Sequence, residues 1–376
     1  MLEVAVIGGG LCGLSLTNRL HSTRRDVHLF EARAKLGGRI SSVFEPINGI
    51  AADLGASWFW PHAQPLMGGL VAELSLDAIP QYDTGKVLVL SDTQHGPMVH
   101  GTGPIHGGGL RIAGGTGKII DGLASRLPHD AISTGHVLAA LEDRGDHVSL
   151  TFKTGEDAIQ VDAEQVVLAV PPRLLAEHVT FAPALPPEIA QALDVSETWM
   201  AGQAKAVMTF TQASWRDEGF SGSAFVTRDI AVLGEVFDLS SENGRPGALG
   251  GFVALSPEAR AFAADRLPTL IAGQLADLFG AAAQDGVVLF KDWASEPFTC
   301  STRDRIMPSQ GRYTEGHPLL RRPYWGSKLH FAGSETASAH AGHMEGALHA
   351  AERLAQLLCG PLTSDALEGT ASRTPN

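Results

Sequence analysis

Cysteine is scarce in this chain: there are three in 376 residues, Cys12, Cys300 and Cys359, far apart and without a Cys-x-x-Cys pair. That spacing speaks against a disulfide framework and a thiolate zinc site, and fits a reducing, cytoplasmic setting. Tyrosine is equally rare, with Tyr82, Tyr313 and Tyr324 alone, so a site built on paired phenols has few candidates. Positive charge is short as well: 28 basic residues against 41 acidic ones give a net charge of -13, which makes nucleic acid and anionic membrane poor partners. No run approaches the ~18 uninterrupted apolar residues of a membrane helix. The chain enters Val4-Ala5-Val6-Ile7 after only Glu3, so its start reads as a strand rather than a secretory leader. No Gly-x-Ser-x-Gly elbow occurs, and Gly114-Gly115-Thr116-Gly117-Lys118 fails as a phosphate loop, with Ile112 and Ile119 at positions needing glycine and a hydroxyl. The small, polar residues 361–376 are expected to form a disordered tail.

Glycine, by contrast, is plentiful: 43 residues, well above the ~7% of average usage. Without a repeat, that surplus suggests tight turns and close backbone approach to a large ligand. The first thirty-odd residues show where. An apolar run ends at Ile7, Gly8-Gly9-Gly10-Leu11-Cys12-Gly13 follows, Leu14, Leu16 and Leu20 are spaced for a helix, and Val27-His28-Leu29-Phe30 leads to Glu31. Strand, glycine turn, helix and strand in that order form the dinucleotide fingerprint. Gly8 permits the turn, Gly10 lets a pyrophosphate approach, Gly13 lets helix and strand pack, and Glu31 stands ready for a ribose hydroxyl.

Leu36-Gly37-Gly38-Arg39 and Asp53-Leu54-Gly55-Ala56-Ser57-Trp58 then continue the chain as plain nicotinamide dehydrogenases do not. A further segment, Gly135-His136-Val137, is followed by Val166-Val167-Leu168-Ala169-Val170-Pro171-Pro172. The last and most specific is Leu329-His330-Phe331-Ala332-Gly333-Ser334-Glu335-Thr336-Ala337, running on to Gly342-His343-Met344-Glu345-Gly346-Ala347. In these four segments the chain resembles the flavin-containing amine oxidase family, which includes monoamine, polyamine and L-amino acid oxidases.

The resemblance implies an α/β fold: a Rossmann-type FAD-binding domain (1–76, 108–172 and 291–360) with an inserted α+β substrate domain (77–107 and 173–290). It implies noncovalent FAD, since Thr302 stands where some members carry the attaching cysteine. Glu31, Arg33, Gly38 and Arg39 would serve the adenosine and pyrophosphate. Val137 would act through its backbone. Gly55, Ala56, Ser57, Trp58 and Trp293 would lie near the flavin ring, with Gly333, Glu335, Gly342, His343 and Met344 along the ribityl chain and ring. The physics of the last segment agrees, because a helix beginning near residues 342–344 offers free N–H groups to an anion developing on a reduced flavin.

Lys205, in the apolar stretch Thr198 to Phe210, matches the lysine that holds a water against flavin N5 in the family. The aromatic cage of the monoamine oxidases falls at Arg303 and His343, so two tyrosines are not expected here. Arg303 could pair with a substrate carboxylate, while His343 and His340 could orient or deprotonate substrate. Trp60 is expected to line the substrate site. His340, His343, Glu345 and His349 do not converge by spacing alone, and no metal site is expected. The implied activity is oxidation of an amine-bearing small molecule by hydride transfer to flavin N5, with oxygen as acceptor and peroxide as product. A desaturase or isomerase acting on a C–C bond is the alternative.

Overall fold

The computed structural model describes residues 1–92, 94–307 and 315–359, so the expected tail lies outside the described residues. Two sheets organise the chain. In the first, Leu2–Ile7 lies between Val27–Phe30 and the long strand Asp157–Leu168, parallel to both, and Leu329–Phe331 is parallel to the end of Asp157–Leu168. Val4, Ala5 and Val6 are fully buried, as a strand covered on both faces requires, and this explains their continuous apolar run. A meander of Val137–Asp143, Val148–Thr154 and Asp157–Leu168 extends the sheet to one side.

Helix Leu11–Ser22 starts directly after the glycine turn and buries Leu14, Leu16 and Leu20. Beside it runs helix Met344–Cys359, whose apolar face is formed by the buried Ala347, Leu348, Ala351, Leu354 and Leu358.

The second sheet has the order Val287–Asp292, Ala204–Phe210, Gly247–Val253, Leu233–Asp238, Phe220–Val226, Lys86–Leu90 and Met98–Thr102. Helix Leu267–Phe279 packs on it through Leu267, Ile271, Leu275 and Leu278. The strand Ala204–Phe210 is buried along its whole length because both its faces are covered: Ala204, Ala206, Met208 and Phe210 share the core with that helix, and Val207 packs in the opposite cluster with Leu54 and Phe237.

One boundary differs from expectation. Residues 173–195 were assigned to the inserted unit, yet Thr180–Ala182 pairs in parallel with Val137–Asp143, and helix Pro187–Val195 buries Ile189 and Leu193 in the core of the first sheet. The short strand extends the edge of the meander and the helix covers its apolar face. Among the described residues, no helix is long and apolar enough to cross a membrane.

Candidate active site

A cavity of about 1180 Å³ runs from the glycine turn of the first sheet to the face of the second. It exceeds the ~300–1,000 Å³ of ordinary small-ligand pockets and has room for an extended ligand with a second molecule beside it. At its first end the backbone sets the shape. Gly8 has φ +109°, and a Cβ there would stand 2.4 Å from the Ala169 carbonyl oxygen; a Cβ on Gly13 would stand 1.9 Å from that of Gly8. Gly10 differs, for its Cβ would meet nothing nearer than Gly38 Cα at 3.7 Å. The turn is thus closed behind and open in front, as a pyrophosphate cradle requires.

The side chains around the cradle are already organised. Glu31 accepts from the Gly9 amide at 2.7 Å and from the Arg33 amide at 2.9 Å, which fixes its carboxylate beside the turn. Arg33 is held by Thr299 Oγ1 at 2.6 Å and Glu296 at 3.2 Å. Arg39 donates to Ser334 Oγ at 2.9 Å and the Trp199 carbonyl at 3.2 Å, and its Nη2 lies 2.7 Å from Glu335 Oε1. That buried oxygen is paired by charge but lacks an aligned hydrogen-bond donor. A buried acceptor left open in a cavity wall suits a ligand hydroxyl. With the open glycine cradle it passes as a fit for the ribityl–pyrophosphate part of FAD.

Helix Met344–Cys359 points its first turn into the same cavity, with Gly342 (φ +82°), His343 and Met344 on the lining. The His343 ring stacks on Trp199 at 6.0 Å, and Trp199 also lines the cavity. Glu345 turns the other way. Fully buried, it accepts from the amides of Leu66 and Met67 at 3.0 and 2.8 Å, capping helix Pro65–Glu73, and its Oε1 lies 3.8 Å from His349 Nε2.

At the other end stands Lys205. Its Nζ donates to the Gly55 carbonyl at 3.0 Å and to Ser57 Oγ, and lies 5.2 Å from the ring of Trp58, 5.4 Å from Phe237 and 5.9 Å from Phe252. Burial, helped by the charge of Arg111, lowers its pKa to about 8 despite the opposing pull of Asp53. The lysine is therefore poised to lose or hold a proton near neutral pH. Asp53 is itself shifted upward by burial, against the hydrogen bonds of Ser42 and Thr116 and the charge of Lys205.

The structure brings most of the expected site residues to this one cavity. Gly8, Gly10, Glu31, Arg33, Gly38, Arg39, Gly55, Ala56, Ser57, Trp58, Trp60, Val137, Lys205, Trp293, Gly333, Glu335, Gly342, His343 and Met344 all line it. Gly13 lies behind the turn, and Trp293 is fixed by donation from Nε1 to the Leu54 carbonyl at 2.9 Å.

Two residues require correction. Arg303 does not face the cavity: it pairs with Asp194 at the surface, where its charge is satisfied in water, and the buried Arg173–Asp304 pair occupies the interior beside it. His340 is also off the lining, its ring stacked on His349 at 6.2 Å and its backbone turned at φ +54°.

The sequence reading missed Trp199, Gln64, Phe252 and Glu235, all on the lining. It also missed His106 behind them, whose ring stacks on Trp58 at 4.8 Å and 16°. Trp199 lay in a stretch already singled out, but the others come from strand register and from the segment near residue 106, which carry no motif.

Comparison with known proteins agrees with this geometry. Residues 104–359 match the family of flavin containing amine oxidoreductases, and residues 6–74 match NAD(P)-binding Rossmann-like domains. A flavin-containing amine oxidase of Danio rerio is 28% identical over 66% of this chain, and the chain spans about half that relative's length, 47%. A Mycobacterium tuberculosis protein whose name assigns it to the flavin-containing monoamine oxidases, AofH, is 24% identical over 94% of this chain and 96% of its own. Among solved structures, a putrescine oxidase has a TM-score of 0.76 at 18% identity over 96% of this chain and 99% of its own. Cyclohexylamine oxidase from Brevibacterium oxydans has a TM-score of 0.74 at 17% identity, covering 95% and 98%. At these identities the structures speak for the fold. With the family match extending over well more than half of its length, the chain belongs to the flavin-containing amine oxidoreductases.

Proposed function

We propose that this chain is an oxidase of a small amine, using noncovalent FAD and returning electrons to oxygen as hydrogen peroxide. The observation that carries this reading is Lys205, buried at the meeting of the two sheets, tied to the segment Gly55–Ser57 and lowered to a pKa of about 8. When bound, flavin supplies the acceptor for the hydride leaving the carbon next to nitrogen. The protein's part is to place the substrate, exclude water and accept a proton at the reacting nitrogen.

Gly8, Gly10 and Gly13 shape the pyrophosphate cradle, Glu31 takes the adenosine ribose, and Arg39 with Glu335 takes the ribityl chain. The first turn of helix Met344–Cys359 offers backbone N–H groups to negative charge on the ring. Lys205 Nζ holds a water or takes a proton at the reacting nitrogen. Trp58, Trp60, Phe252 and the His343–Trp199 stack exclude solvent around the C–H bond. His343 stands in the place of one cage residue, and Trp199 supplies an aromatic surface where Arg303 does not. Noncovalent attachment is supported by Cys300, which is buried off the cavity lining, its thiol pushed up to about 11 by burial. In this reading the first sheet serves FAD and the second serves the substrate.

The test is anaerobic absorbance of the flavin-loaded protein against a panel of primary amines, diamines and amino acids. Bleaching by an amine, with colour and peroxide returning in air, is the expected result. Yellow protein that no amine bleaches, but that forms a C–C double bond in another substrate, would replace this reading with the desaturase.

A further inference from the structure

Behind two tryptophans of the cavity wall runs a segment that the chemistry above does not use, Gly103-Pro104-Ile105-His106-Gly107-Gly108-Gly109. It leaves the edge strand Met98–Thr102 and returns at Leu110, which pairs with Phe59. A Cβ on Gly103, Gly107 or Gly108 would meet nothing within 4 Å, and Gly108 holds φ +75°, so both ends of the segment can turn without disturbing a neighbour. Between those ends Pro104 and Ile105 are exposed, whereas the His106 side chain keeps only 9% of its surface in solvent.

His106 fastens the segment to the body of the protein. Its ring stacks on Trp58 at 4.8 Å and meets Phe237 edge-on at 6.0 Å. Nδ1 lies 3.3 Å from Asp83 Oδ1 and Nε2 lies 3.6 Å from Glu235 Oε1. The His106 amide donates to Asp83 Oδ2 at 3.1 Å, and its carbonyl accepts from Trp60 Nε1 at 3.1 Å and from the Gly109 amide at 2.8 Å. Trp58 and Trp60 both line the cavity, so the segment backs its wall. The aromatic neighbours bring no charge to the ring. Asp83 and Glu235 do, and Lys205 stands in the row beyond, opposite Phe252, which is itself opposite Glu235. Burial opposes a proton on His106, but hydrogen bonds and charges from Asp83 and Glu235 outweigh it and hold the pKa at about 9. The imidazolium can donate to both carboxylates at once. A neutral imidazole has one N–H and serves only one of them, which leaves two negative charges facing each other across the ring.

We propose that residues 103–109 form a flap over the Trp58–Trp60 wall of the cavity, latched by His106 as a positioning residue and released when its imidazolium loses the proton. Latched, the flap holds both indoles in the wall. Released, it withdraws their backing and widens the cavity, which weakens substrate binding without touching the reacting atoms. The two titrations then bound a window. Lys205 gives up its proton near pH 8, and the flap opens above about pH 9, so between these values a proton acceptor is ready inside a cavity that is still closed. The flap depends on no particular substrate.

The test is hydrogen–deuterium exchange of the flavin-loaded protein, followed by mass spectrometry between pH 6.5 and 10.5 and corrected for the intrinsic pH dependence of amide exchange. In wild type, peptides covering residues 103–109 should exchange about tenfold faster above a midpoint near pH 9, while the strand Ala204–Phe210 stays protected throughout. His106→Asn should exchange fast in this segment at every pH. Asp83→Asn should keep the step but lower its midpoint by about one pH unit, a displacement that a merely structural contact would not produce. At pH 7.5, His106→Asn should raise KM for an oxidised amine about tenfold while changing the limiting rate of flavin reduction less than about twofold. Protection that persists through pH 10 in wild type, a midpoint that Asp83→Asn leaves in place, or a His106→Asn segment that exchanges as wild type does overturns the proposal. The exchange measurements need no substrate, so they decide the flap even if no amine bleaches the flavin and the amine reading falls.

Discussion

The two ends of the cavity are built by different means. At the first end the main chain sets the shape: glycines leave space or close it, a helix presents its first turn, and Glu31 and Arg39 are each anchored to backbone groups, Arg39 also to Glu335. At the second end the wall is built of regular antiparallel strands, and the chemistry comes from whichever side chains the register sets on its inner face. A ligand shared by a whole family suits a rigid cradle of main chain. A wall of side chains can change one residue at a time and so change the substrate. The first end should therefore fail as a unit when altered, and the second should fail in parts.

The largest effect is expected at Gly13. A Cβ there would stand 1.9 Å from the Gly8 carbonyl oxygen, so Gly13→Ala must part helix from strand. We expect a cost of about 3 kcal/mol or more, with loss of bound flavin, read from thermal unfolding and the flavin absorbance ratio. Retention of full flavin content would break the contrast.

Next is Lys205→Met, which should keep the flavin and lower the rate of flavin reduction by about 10²–10⁴, the usual range for a lost acid–base group. The pH profile sharpens this. Wild type should show a limb near pH 8, where Lys205 titrates, and the variant should lack it. Stability has its own sign. The folded pKa of about 8 lies below the ordinary lysine value of 10.5, so the unfolded chain binds more protons between those values and stability rises with pH across that window. Denaturation midpoints of wild type should rise over this range relative to Lys205→Met.

Glu335→Gln removes the charge that faces Arg39 while keeping the shape, and should weaken flavin binding about tenfold, in line with a charge-assisted contact worth ~1.5–3 kcal/mol. Titration of the flavin-free protein checks it. The smallest effect is expected at Arg303→Ala. Its pair with Asp194 is solvent-exposed, so stability should move by less than about 0.5 kcal/mol and turnover should not change. A large loss of activity would return Arg303 to the site.

What could be read in advance follows the same division. Gly8, Gly10, Gly13 and Glu31 were legible because a strand–turn–helix must satisfy its geometry within a few consecutive residues. Lys205 was legible through its match to a family pattern. The helix expected to begin near residues 342–344 was legible because it continues an unbroken motif, and it is present as Met344–Cys359. Arg303 was misread because neither spacing nor charge tells whether a side chain turns inward, and Asp194, more than a hundred residues away, decided it. Residues 173–195 were misassigned because the edge of a sheet has no mark in the sequence of the strand that extends it.

By itself, then, the sequence determined the dinucleotide turn, the helix whose first turn enters the cavity, and the family resemblance, since each is written in residues close along the chain. Only the tertiary structure set Glu235 in line with Lys205, brought His106 and Asp83 behind it, and turned Trp199 toward His343. Those relations depend on strand register and on contacts between distant segments. A one-residue slip in pairing would turn Glu235 to the opposite face without changing a letter of the sequence.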